Sequence, residues 1–271
     1  MKLFATDLDG TLLDRQGRLR DRDREAIARA RAKGVVVTIA TGRLVSGTLP
    51  IARALGLDVP IVCADGAVLA DPVSGVPVHM ERLPSATVLD LLSRLDEHHI
   101  AKFVFTKETI HGCSRGWEHH RYVSGWSPEI VTHDNLEEAE WTRDAHGPLF
   151  VVGIGGKEVD SVMEWTRREL PDVEDLTFSV SWGEHRVMRV IRRGSSKGAG
   201  LARLASRLGI PRSDIAVAGD WHNDLPMFEL AGRSFAMDHA PSDVKAAATD
   251  VLAPGVYDTG GVAAALEALG Y

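Results

Sequence analysis

The sequence predicts an α/β protein: a Rossmann-like, doubly wound parallel sheet core with a second, α+β domain inserted into it. Three observations carry this expectation. Strand-like and helix-like segments alternate over residues 1–83, the alternation returns over 190–271, and the texture changes across 84–189, where most of the tryptophans lie. Strand–helix–strand alternation implies crossover connections, and hence parallel strands covered by helices. Hinges are expected near Leu83 and Arg193.

Each element has its own signal. KLFAT (2–6) is a short buried strand. A helix starts at Asp21, carries Ala26, Ile27 and Ala30 at helical spacing, and ends at Gly34, a residue suited to closing a helix. VVVTIA (35–40) is continuous, β-branched and apolar, as a strand covered on both faces should be. A second helix runs through IARALG (51–56), and PIVCA (60–64) is the next strand. The insert holds a helix at SATVLDLLSRLDEHH (85–99), strands at KFVFT (102–106), LFVVGI (149–154) and RVMRVI (186–191), and a loop rich in Trp, His and Gly at 111–127. The second core half reads as helix (195–210), strand (214–220), short helix (225–232), strand (234–237) and closing helix (260–270).

Bulk properties bound the function. The chain has 271 residues, 44% apolar and 25% charged, as an ordinary globular protein does. A net charge of −7 argues against a general affinity for nucleic acid or anionic membrane, which reward basic surfaces. Cys63 and Cys113 form neither a disulfide framework nor a CxxC metal pattern, and are expected as free thiols in a reducing cytoplasm. The opening MKLFATDLDG lacks the shape of a signal peptide, and no stretch approaches the roughly 20 apolar residues of a membrane span. A soluble cytoplasmic protein is expected, with no nucleic-acid or membrane partner; the sequence does not reveal its oligomeric state.

The chemistry concentrates at strand ends. In a parallel α/β sheet, ligands bind beyond the carboxyl ends of the strands. Asp7 follows KLFAT, Thr41 follows VVVTIA and Asp220 follows DIAVAG, so distant segments are expected to converge on one crevice. Asp7 and Asp9 share a face if the strand conformation persists. Crowded carboxylates repel, and removing them from water costs several kcal/mol per ion unless something pairs them. Asp7 and Asp220 can supply hard oxygen ligands to Mg²⁺, whose other positions go to water and substrate phosphate. Lys197 opens a helix, and its ammonium and the helix N-terminus together favour an anion. Thr41 adds a hydroxyl, and Gly10 lets the backbone turn and approach a ligand closely.

Four segments in order, DLDGT (7–11), TIATGR (38–43), SSKGAGL (195–201) and GDWHNDLPMF (219–228), resemble the motifs of the haloacid dehalogenase (HAD) superfamily. The chain is most similar to the Cof-type sugar-phosphatase-like branch, in which a large α/β cap is inserted between the second and third motifs. The cap matches in position and size more than in sequence. The resemblance implies a magnesium-dependent phosphatase acting on a small phosphorylated metabolite, such as a sugar phosphate, through an aspartyl-phosphate. It makes Asp7 the nucleophile and Asp9 the general acid and base, with the Asp9 backbone carbonyl a metal ligand beside Asp7 and Asp220. It gives Thr41, Gly42, Lys197 and Asn223 to the phosphate, with Gly10 and Asp224 in support, and substrate specificity to the cap.

The chain departs from the family at three places. Trp221 stands where Gly is usual, Asp65-Gly66-Ala67 where Asn-Gly-Ala is usual, and Asp238-His239 where Gly-Asn is usual. Arg43, Asp65, Trp221 and His222 are candidate substrate contacts. In the cap, HGCSRGWEHHRYVSGW (111–126) groups Arg115, His119, His120 and Arg121. Adjacent histidines lack the i, i+4 spacing of a zinc pair on one helix face, so a solvated loop is expected, with a substrate-recognition lid as the alternative. Asp14 reads as a turn residue. The motifs do not separate a phosphatase from a sugar phosphomutase of the same fold. A phospho-aspartate signalling or binding module is disfavoured by chain length and by the insert, and a dehalogenase by the acid at Asp9.

Overall fold

A computed structural model describes residues 1–143, 147–179 and 185–271, with backbone alone over 176–179. In chain order the elements are β1 (Leu3–Thr6), α1 (Asp21–Ala32), β2 (Val36–Ile39), α2 (Val45–Ala54), β3 (Ile61–Cys63), β4 (Val68–Ala70) and β5 (Pro77–Met80). There follow α3 (Ser85–Glu97), β6 (Ala101–Phe105), β7 (Thr109–Cys113), β8 (Glu129–His133), β9 (Phe150–Gly155), α4 (Glu158–Glu169), β10 (Val173–Ser179) and β11 (Arg186–Arg192). The last are α5 (Lys197–Leu208), β12 (Ile215–Gly219), α6 (Leu225–Leu230), β13 (Arg233–Ala236), α7 (Ser242–Ala247), β14 (Asp250–Val251) and α8 (Val256–Ala268).

Two compact units result. The first comprises Met1–Gly42, Thr48–His79 and Ser196–Tyr271; the second comprises Arg43–Gly47 and Met80–Ser195. The short piece 43–47 joins the second unit partly because the Leu44 amide donates to the Trp126 carbonyl, 2.8 Å away.

The first unit is built on a five-stranded parallel sheet in the order β14-β13-β12-β1-β2. Its central strand β1 is paired on both sides, and Leu3, Phe4 and Ala5 are fully buried, which is why the segment is uniformly apolar. The sheet continues towards β3 through a parallel bridge between Ala40 and Val62, and β3 then turns back into the three-stranded β3-β4-β5 sheet. Helix α1 begins with Asp21 and Asp23 and ends with Arg29 and Arg31, charges that complement its macrodipole. Its buried side, Ala26, Ile27 and Ala30, is the stripe the spacing predicts. Helix α5 is capped by Ser196, whose hydroxyl accepts from the Ala199 amide, and it buries Leu201, Leu204 and Ala205 beside Leu3, Val217 and Met227.

The second unit is α+β. Its six-stranded sheet runs β10-β11-β9-β6-β7-β8, antiparallel except for the parallel pair β7 and β8. Val88, Leu91, Leu92 and Leu95 of α3 and Val159, Val162 and Met163 of α4 share a core with Val104, Val151, Met188, Val190 and Trp141.

The predicted loop at 111–127 needs correction. Residues 109–113 form β7, and Trp117–Tyr122 form short 3-10 turns. The strand is hard to read because Gly112 interrupts it; a Cβ there would lie 3.0 Å from Phe103 Cε1, so the side chain is absent to make room for that ring. Among the described residues no helix is long and apolar enough to cross a membrane.

Candidate active site

The parallel register that pairs Thr6 with Ala218 ends β1 and β12 side by side. Asp7, whose amide donates to the Ala218 carbonyl at 3.0 Å, and Asp220 therefore leave the sheet at the same edge. Asp224 reaches back from the turn after β12, its Oδ2 accepting from the Asp220 and Trp221 amides at 2.8 and 3.0 Å. Lys197, the first residue of α5, points its ammonium between two of these acids: Nζ lies 2.7 Å from Asp7 Oδ1 and 2.6 Å from Asp224 Oδ1. Among the described residues, Asp7, Asp220 and Asp224 are the group of metal-ligating side chains that brings three donor atoms within 4.8 Å of one another, and all three are buried.

The electrostatics are unbalanced. Burial, opposed by Lys197 and reinforced by the Asp224 and Asp220 charges, raises the Asp7 carboxyl well above its usual range. Burial raises Asp224 too, again against Lys197. Burial alone would lower Lys197, but Asp224 and Asp7 outweigh it and hold the ammonium charged. Three carboxyl groups crowd around one ammonium in a buried site, so acid outnumbers base there. That donor set fits a divalent cation of the hard, oxygen-seeking kind. Asp224 is the most heavily engaged of the three, with Lys197 on Oδ1 and two backbone amides on Oδ2.

Glycine makes this packing possible at two turns. Gly10 has φ +84°, and a Cβ on it would lie 2.7 Å from Asp220 Cγ. Gly66, at φ +91°, lets its loop lie directly on the Ser196 carbonyl at the start of α5, where a Cβ would overlap it.

The remaining predicted residues divide. Thr41 is buried at the end of β2, its amide donating to the Val62 carbonyl and its carbonyl accepting from the Asp65 amide. Asp65 sits in the left-handed region at φ 49°, ψ 42°, which Asn and Asp tolerate better than most side chains. Its carboxylate receives Asn223 Nδ2 at 2.9 Å and lies over Gly42, where a Cβ would be 3.0 Å from Oδ2. Thr41, Gly42, Asp65 and Asn223 are thus brought together. Asp9 is exposed, and its carboxylate is not part of the three-acid group. Trp221 is 42% exposed, its ring nearly perpendicular to that of His222 at 5.2 Å. His222 pairs with Asp243 at 2.9 Å. Arg43 belongs to the second unit, where its Nη1 lies 3.5 Å from the Gly47 carbonyl. Asp14 closes a turn by accepting from the Gln16 and Arg18 amides, each at 2.9 Å.

Two contacts at the acid group were not predicted. Thr11 Oγ1 donates to Asp220 Oδ1 at 2.9 Å, and His239 Nε2 lies 3.3 Å from Asp220 Oδ2. The place of Thr11 within DLDGT and the departure at Asp238-His239 were the available signals.

The chain matches the family of haloacid dehalogenase-like hydrolases over residues 4–266. It is 31% identical to the phosphatase YwpJ of Bacillus subtilis (strain 168), across 93% of this chain and 94% of that one. It is 28% identical to the pyridoxal phosphate phosphatase YbhA of Escherichia coli (strain K12), across 95% of each. Its structure is similar to that of a haloacid dehalogenase-like hydrolase from B. subtilis, with a TM-score of 0.84 and 27% identity, covering 99% of this chain and 100% of that one. With a match that spans nearly its whole length, the chain belongs to the haloacid dehalogenase-like hydrolases, as a phosphomonoester hydrolase of the Cof-type branch.

Proposed function

We propose that the chain is a magnesium-dependent phosphatase that hydrolyses a small phosphorylated metabolite through an aspartyl-phosphate on Asp7. The observation that carries this reading is the buried Asp7–Lys197–Asp224 bridge beside Asp220, a site that crowds three carboxyl groups around one ammonium. Asp7 and Asp220 would hold the cation, with the backbone carbonyl of Asp9 as a further ligand. A bound cation would supply charge that offsets the phosphate.

The chain's own residues supply the rest. An Asp7 carboxylate oxygen attacks phosphorus and forms the acyl phosphate, while the bond to the leaving-group oxygen breaks and Asp9 delivers the proton that oxygen needs. Asp9 then takes a proton from water, whose oxygen attacks the same phosphorus, and Asp7 leaves as a carboxylate. The exposure of Asp9 suits a group that must meet both leaving group and water. Lys197 offsets charge on Asp7 and on the phosphoryl oxygens. The Thr41 hydroxyl, the backbone at Gly42 and the second N–H of the Asn223 amide orient those oxygens. Gly10 and Asp224 support them by close approach and by fixing Lys197.

Substrate choice is assigned to the inserted cap (84–189), with Arg43, Asp65, Trp221 and His222 as further candidate contacts. A cytoplasmic location is retained with it. Since one relative is named for pyridoxal phosphate, that compound joins sugar phosphates at the head of a metabolite screen. The test is release of inorganic phosphate from a generic aryl phosphate by purified protein, with Mg²⁺ or with chelator. Turnover is expected only with the metal, and Asp7→Asn is expected to lower it at least roughly 10³-fold. Metal-independent turnover, or full activity in Asp7→Asn, would contradict the mechanism. Isomer formation without phosphate release would identify a mutase instead.

A further inference from the structure

We propose that His239 is a positioning residue for the metal site, clamping the Asp220 carboxylate by the oxygen that Thr11 does not hold. The inference rests on the assignment of Asp220 as a metal ligand.

The placement follows from the sheet. Strands β12 and β13 are in parallel register with Gly219 beside Ala236, and the Met237 amide donates to the Gly219 carbonyl at 3.0 Å. This carries the β13 exit alongside the residue that precedes Asp220. The Ala240 amide then donates to the Met237 carbonyl at 3.1 Å, closing a turn whose third residue is His239. His239 Nε2 reaches Asp220 Oδ2 at 3.3 Å, whereas its Nδ1 is 3.9 Å from Asp238 Oδ1, beyond hydrogen-bond range. A carboxylate only accepts, so Nε2 carries the hydrogen in this contact; that tautomer is assigned from the partner.

The imidazole is braced from behind. Its ring lies 4.5 Å from that of Tyr257, whose hydroxyl donates to the Leu13 carbonyl at 2.8 Å. The Arg20 guanidinium sits 4.4 Å from the Tyr257 ring centre and donates to the Leu12 carbonyl at 3.2 Å. Arg20 and His239 both contact the Tyr257 ring, the imidazole tilted at 56° to it, and the Arg20 and Tyr257 hydrogen bonds anchor the group to the segment that follows DLDGT. Thr11, inside that motif, holds Asp220 Oδ1 at 2.9 Å. With one donor on each oxygen, the Asp220 carboxylate plane is fixed and each oxygen keeps a lone pair for a cation. Such outer contacts orient metal ligands and are typically worth 10–100-fold in affinity.

The test is calorimetric titration of Mg²⁺ alone into metal-free full-length protein, comparing wild type, His239→Ala, His239→Gln and Asp220→Asn. His239→Ala is expected to weaken Mg²⁺ binding by about 10–100-fold while far-UV circular dichroism stays unchanged. His239→Gln, whose amide still offers an N–H, is expected to recover most of that loss. An affinity for His239→Ala within about twofold of wild type would overturn the inference, as would equal losses in the Ala and Gln variants. Loss of binding in Asp220→Asn together with wild-type affinity in His239→Ala would overturn the clamp and leave the metal site standing. Wild-type protein that fails to bind Mg²⁺ would overturn the site and the clamp together.

Discussion

Gly10 and Asp7 carry opposite kinds of constraint. At Gly10 the constraint is steric: φ is +84°, and the space a methyl group would need is filled by Asp220. Gly10→Ala is expected to destabilise the protein by more than about 1 kcal/mol in chemical denaturation, and to displace a carboxylate the site needs. At Asp7 the constraint is electrostatic. Its carboxyl titrates above the ordinary value in the folded state, chiefly through burial. A group whose folded pKa is raised contributes stability that is present below its unfolded pKa and lost as pH rises through the folded one. Above its unfolded pKa, Asp7 therefore costs stability in metal-free protein. Asp7→Asn should raise the metal-free melting temperature by about 2–4 °C while abolishing turnover, the trade expected where function imposes strain. A lower melting temperature would show that the bond to Lys197 outweighs repulsion. Asp7, Lys197 and Asp220 were legible because each stands beside an element boundary that hydrophobic pattern reveals, and Asp224 through the family motif that contains it. The His239 contact was not, since it depends on a turn after a different strand.

At the scale of elements, the α5 N-terminus couples fold to site. Ser196 caps the helix and Lys197 is its first residue, so the cap that stops the helix fraying also sets where the ammonium points. Ser196→Ala should cost about 1 kcal/mol in chemical denaturation, with a rise in KM larger than any fall in kcat. Trp141 does comparable structural work in the second unit: it is fully buried, and its indole N–H donates to the Leu136 carbonyl at 2.9 Å. Trp141→Ala is expected to cost about 3–5 kcal/mol. Strands such as β1, β2 and β12 were readable as unbroken apolar runs. Strand β7 was not, because Gly112 gives up its side chain to Phe103, and β8 is hidden because its residues are mostly exposed. Helix α4 follows the other rule: Val159, Val162, Met163 and Thr166 are buried at helical spacing, so its sequence carries a helical signal.

For the molecule as a whole, the acid group, Lys197, Thr41, Asp65 and Asn223 all belong to the first unit, so the residues proposed for metal and phosphate chemistry lie within it. Substitutions in the core of the second unit, such as Leu92→Val, are expected to leave Mg²⁺ affinity unchanged and to act on stability by about 1 kcal/mol. The alternating pattern made the sheet and the insertion legible, and the family motifs named the acids. What one sequence could not display is the parallel register that sets Thr6 beside Ala218, and so places acids from opposite ends of the chain together. The central claim is that Asp7 carries the phosphoryl group. Its most direct test is an acid-quenched single turnover with an aryl phosphate and Mg²⁺, followed by peptide mass mapping. The account predicts a phosphorylated Asp7 that appears before inorganic phosphate and is absent from Asp7→Asn. Complete turnover with Asp7 never labelled, or a label on another residue, would contradict it.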